Sequence, residues 1–219
     1  MKLRKILLIL DQSFNVKESR EFNYQARSLG HYIGRHIEKL SLETPYSQLV
    51  FGAQNKNMPE VERYFPQSLL VRVGFEFDQY KKIEHSDDSV LLNNYFISLL
   101  TSGLRTLRAI YPEVAVACEE HVESFVAGGY VNEWMHSSTK VSKSIRVTLN
   151  CAMSYKEFTA TLCVVNTTSN SINAERVVFR SKPDELLFHS KLGKIKIEQG
   201  RALLIDKFEG IVGFVELPP

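Results

Sequence analysis

A chain of 219 residues is long enough to bury a full hydrophobic core, as one large domain or two small ones, without disulfide or metal staples. Its 44% apolar and 24% charged residues exclude intrinsic disorder, which needs low hydrophobicity and high net charge. The 27 basic and 25 acidic residues leave a formal charge of only +2, without the strong basic excess of a typical nucleic-acid binder.

Lys2, Arg4 and Lys5 precede the apolar run Ile6–Leu10. The run is shorter than the roughly 7–15 residues of a secretory leader core, and Asp11 and Gln12 follow it in place of small residues. A buried strand is therefore expected over 4–10. No stretch reaches the roughly 18 uncharged apolar residues of a membrane span, so a soluble, cytoplasmic chain is expected. Residues 15–40 carry Phe22, Ala26, Leu29, Ile33 and Ile37 at helical spacing. Gly30 and Gly34, four apart on that helix, leave room for another element to approach. Thr44-Pro45 ends the region. A strand is expected over 48–53, a polar turn over 54–59, and a long alternating strand over 68–78, with Val71, Val73, Phe75 and Phe77 on one face.

Ser86-Asp87-Asp88 offers side-chain oxygens to free backbone amides, an N-cap signal for a helix over 89–110. Leu92, Tyr95, Phe96, Leu99, Leu100, Leu104 and Leu107 give that helix a wide apolar face. Tyr111-Pro112 ends it, and a further helix runs over 114–127 to Gly128-Gly129. From Ser142 the period changes to alternation. Strands are expected over 144–152, 158–166, 176–180, 194–198, 202–206 and 212–217, separated by polar turns. The reading is α+β: an N-terminal strand–helix–strand region, central long helices, and a C-terminal antiparallel β-meander packed on the helices. One domain over 1–219 is expected, with an alternative split into 1–138 and 139–219.

Charge is unevenly spread. Residues 75–135 hold ten acidic groups against four basic ones, a net of −6, which leaves +8 on the flanking segments. This describes either a solvated acidic helix pair or a surface that steers a basic partner.

Tests for chemistry return little. Cys118 and His121, and Glu119 and Glu123, share helix faces, but no second Cys or His pair completes a zinc set. No metal and no cofactor are expected. Cys118, Cys151 and Cys163 have apolar neighbours and read as buried free thiols. No Gly-x-Ser-x-Gly elbow, dinucleotide fingerprint or Walker sequence occurs, so no catalytic residue is assigned. Glu76 and Asp78, two apart on the expected strand, fit a magnesium pair or the strand's polar face. Tyr130, Val131, Trp134 and Met135 cluster after the acidic helix. Aromatic anchors beside charges carry much of the energy of protein interfaces, so Glu119, Glu120, Glu123, Tyr130 and Trp134 are the candidate partner-binding residues. The alternative is that Trp134 caps the core.

The run Val71–Tyr80, the Ser102-Gly103-Leu104 step in a long helix, Gly129–Trp134, Leu192-Gly193-Lys194 and Leu204–Gly210 together resemble bacterial immunity-type proteins of polymorphic toxin systems. The resemblance spans roughly residues 70–217 and transfers no catalytic residue. It implies a non-catalytic binding protein that neutralises a cognate toxin domain by direct binding and occlusion, with a protein partner. Three other classes stay open: a scaffold or homo-oligomeric subunit using a strand edge, an enzyme whose site assembles only in space, and a nucleic-acid binder whose basic flanks converge.

Overall fold

The computed structural model describes residues 1–10, 14–54 and 61–218, so the expected turn at 54–59 lies outside them except for Gln54. Helices and strands mix in the expected α+β manner. The chain forms two compact units, Met1–Val131 and Asn132–Pro219. The boundary falls close to the place where helical periodicity gives way to alternation.

The first unit runs β1 (Lys5–Leu10), α1 (Val16–Leu40), β2 (Gln48–Gln54), β3 (Val61–Phe65), β4 (Ser68–Gly74), α2 (Phe77–Ile83), α3 (Ser89–Arg108) and α4 (Pro112–Ala127). Its sheet has the order β1-β2-β4-β3. β1, β2 and β4 are mutually parallel, and β3 lies antiparallel on β4. Central parallel strands bury both faces, which is why consecutive residues such as Leu49-Val50-Phe51 and Leu69-Leu70-Val71 are all buried. The long helices form where capping and periodicity agree: Asn15 caps α1 and Asp88 caps α3 through side-chain oxygens. Gly30 and Gly34 do admit a neighbour. A Cβ at Gly30 would stand 2.5 Å from the Ile6 carbonyl oxygen, so only glycine lets α1 lie on the backbone of β1.

The strand expected over 68–78 is corrected at its end. It stops at Gly74, and Phe77–Ile83 is helical. Phe75 leaves the sheet to join Phe22 and Tyr80 in an aromatic cluster with edge-on Phe22–Phe75 geometry at 5.5 Å. Glu76 becomes the residue before α2 and Asp78 lies in its first turn, so the two carboxylates share no strand face. β3 adds a strand between the expected turn and the expected strand.

The second unit runs β5 (Glu133–Lys140), β6 (Ile145–Met153), β7 (Phe158–Asn166), β8 (Ile172–Ser181), α5 (Glu185–Phe188), β9 (Lys194–Glu198), β10 (Arg201–Ile205) and β11 (Ile211–Glu216). The strands form two antiparallel sheets, β5-β6-β7-β8 and β11-β10-β9. Alternate residues of β6 and β7 (Val147, Leu149, Cys151, Phe158, Ala160, Leu162) share a core with Ala202, Leu204 and Val215 of the second sheet. Phe188 of α5 stacks on Phe158 with ring centroids 3.8 Å apart. β5 and α5 are additions to the sequence reading. β5 begins ahead of the first expected strand, because Glu-Trp-Met-His-Ser-Ser-Thr-Lys is an edge strand with little apolar alternation.

Candidate functional site

The period-2 pattern of the meander determines which side chains share its outer face. Residues opposite one another across antiparallel strands point the same way. With Val147, Leu149 and Cys151 inward, Thr148, Asn150 and Ala152 point outward. The register then places Glu133 opposite Ala152, Met135 opposite Asn150, Thr161 opposite Asn150, and Cys163 opposite both Thr148 and Glu175.

The result is an open groove of about 480 Å³ across the outer face. Asn150, Thr161 and Cys163 lie on its floor, and Glu133 with Met135 on the β5 side faces Ile172 with Glu175 on the β8 side. The Asn150 amide donates to the Cys163 sulfur at 3.4 Å. Burial raises the Cys163 thiol above its ordinary value; the Asn150 bond opposes this and the Glu175 carboxylate adds to it. The floor therefore carries a protonated thiol and no ready nucleophile. Met135 and Ile172 are 59% and 57% exposed, so each wall sets an apolar side chain beside a carboxylate.

The sequence-derived candidates divide between the units. Glu119, Glu120 and Glu123 lie on α4. Glu119 is half-buried and forms an ion pair with Arg108 of α3, which ties the two helices; Glu120 and Glu123 are exposed. Tyr130 follows α4 with φ 63°, packs edge-on against Phe125 at 5.7 Å and donates its hydroxyl to Asn94 Oδ1 at 2.8 Å. Trp134 belongs to the second unit. Its ring faces the meander core, 6.0 Å from that of Phe158, so it supports the groove wall from behind. Of the wall residues only Met135 was named in the sequence, within the cluster after the acidic helix; Glu133, Ile172 and Glu175 were not singled out. Their signal was the polar half of the strand alternation, which any solvated sheet face also shows.

A second, basic groove of about 560 Å³ lies at the start of β1 and β2, lined by Lys2, Arg4, Lys5, Ser47, Gln48 and Gln67. Cys118, on α4, is buried. Among the described residues no group of three His, Cys, Asp or Glu side chains is placed to hold a metal ion. No helix among them is long and apolar enough to cross a membrane. No family model, no curated protein and no solved structure matches this chain.

Proposed function

We propose that this chain is a non-catalytic binding protein of the immunity type, which neutralises a cognate toxin domain in the cytosol by binding it and covering its active surface. The observation that supports this reading is the groove across the meander. The Glu175 carboxylate on the β8 wall suits a cation, while Met135 and Ile172 supply apolar area, the combination from which interfaces draw affinity and orientation. Its volume takes one or two side chains of a partner, so it serves as an anchor point within a larger contact. Glu120 and Glu123, exposed on α4, add the long-range attraction that steers a basic partner into encounter.

The test is co-expression with the toxin domain encoded by the adjoining reading frame, followed by co-purification and calorimetry. A complex is expected, and protection of the host from that domain's toxicity. Glu175→Lys should weaken binding about ten-fold or more, because it sets a like charge against the incoming cation. Absence of both complex and protection would end this reading. A self-associating scaffold is the second reading, favoured by one feature: β8 exposes the apolar side chains of Ile172 and Val177. Light scattering coupled to size exclusion separates the two, since a scaffold would elute above its 25.1 kDa monomer mass without any partner.

A further inference from the structure

The second unit gathers three basic side chains that the groove does not use. The turn between β10 and β11 is built by Asp206, whose Oδ1 accepts from the backbone N–H of Phe208 at 2.9 Å and of Gly210 at 2.8 Å. The backbone N–H of Lys207 donates to the Ser190 carbonyl at 2.9 Å, which pins the turn to the segment after α5. Lys207 Nζ thereby comes within 2.6 Å of His189 Nε2. The third member comes from β5. The β5–β6 register shifts between Met135 and Ser137, so His136 is the extra residue of a bulge, a device that re-aims a side chain. Its ring bonds to the Leu192 backbone and lies near enough to Lys207 and His189 to feel both charges.

Two carboxylates of the β10–β11 turn are engaged elsewhere. Asp206 takes Lys191 at 3.1 Å as well as its turn amides, and Glu209 takes Lys194 at 2.8 Å. Among the described residues no carboxylate pairs with His136, His189 or Lys207. Lys207 donates to His189 Nε2, and both groups raise the cost of a positive charge on His136. Although His136 is exposed as a residue, its ring is shielded enough that burial is the first cause lowering its pKa, followed by Lys207 and His189. An anion at this point would relieve that cost.

We propose that His136, His189 and Lys207 form a binding site for a phosphate group, carried as free phosphate or as a phosphate monoester. Nitrogens arriving from three elements match the several acceptor oxygens of a tetrahedral dianion better than a planar carboxylate, which two donors satisfy. The second phosphate ionisation lies near pH ~6, so the ligand is largely a dianion at neutral pH, where imidazole N–H groups and an ammonium can donate to it. Phe208, next to Lys207 and 81% exposed, offers an aromatic surface to the organic part of a monoester. The site is independent of the toxin-binding reading and is tested without any protein partner.

The test is a titration of the full chain with inorganic phosphate and with phenyl phosphate, followed through histidine ring proton resonances in a phosphate-free buffer at constant ionic strength. Saturable shifts of His136 and His189 are expected. Binding should weaken as pH falls through ~6, where the ligand becomes a monoanion. Lys207→Gln, at an exposed position, should weaken both ligands about ten-fold or more, whereas Lys196→Gln on β9 should leave both unchanged. Phe208→Ala should weaken phenyl phosphate alone if a monoester is the ligand, and neither if free phosphate is. Non-saturable shifts, shifts reproduced by chloride, or shifts unaltered in Lys207→Gln would overturn the proposal.

Discussion

Cys118 shows what surroundings do to a single side chain. Burial first, and the Glu119 charge second, push its thiol up to about 12. Cys151 and Cys163 are buried as well. Because the thiolate is the reactive form, the native protein should resist Ellman's reagent at pH 8 and release all three thiols to it in denaturant; rapid labelling of the native chain would contradict this burial. The state of two of the thiols was legible in the sequence, since Ala117-Cys118 and Leu162-Cys163-Val164 place their sulfurs beside apolar residues. The role of Trp134 was left open between a partner anchor and a core cap, and pairing opposite Cys151 turns its ring toward the core.

At the scale of elements, legibility followed locality. α3 carries both its signals in contiguous sequence: Asp88 accepts from the backbone N–H groups of Val90 and Leu91 at 2.9 and 3.1 Å, and apolar residues recur at helical spacing behind it. Asp88→Ala should lower stability by about 1 kcal/mol in urea denaturation, and Asp88→Asn by much less, since asparagine caps comparably. Elements whose formation depends on distant partners were harder to see. β5 is polar and edge-lying, and exists because β6 supplies its hydrogen bonds. The alternation through Phe75 and Phe77 mimics a strand, but β4 stops at Gly74 and the rings pack with one another and with Phe22 instead. The wall residues of the groove stand on β5 and β8, the outer strands of a four-stranded sheet, so no short window of sequence contains the site.

For the molecule as a whole, acid should be destabilising in two stages. His121 of the first unit has a pKa lowered by burial first and then by His36, and its Nε2 is buried with no hydrogen-bond partner. His136 of the second unit is lowered by its own shielding, Lys207 and His189. A histidine whose folded pKa lies below its unfolded value of about 6.5 binds fewer protons folded than unfolded. The stability it contributes is present above that pH and lost as pH falls through it. Asp206 is lowered by its turn amides and Lys191, so its contribution is lost only in the carboxylate range, below about 4. The urea midpoint should therefore fall between pH 7.5 and 5.5, less so in His121→Gln, and fall again as Asp206 protonates. A midpoint flat across pH 7.5 to 5.5 would remove the histidine part.

Composition, periodicity and capping residues were enough to determine that this chain folds, that it mixes helices with strands, where α1, α3 and α4 run, and that two of its thiols are buried. These properties depend on near neighbours in the chain and on the balance of apolar and charged groups. Tertiary structure alone decided that the first sheet is parallel, that the late strands divide into two sheets, that Glu133 and Glu175 face each other across a groove, and that His136, His189 and Lys207 meet. Those arrangements depend on register between strands and on one bulge, and register is set by contacts among residues far apart in sequence.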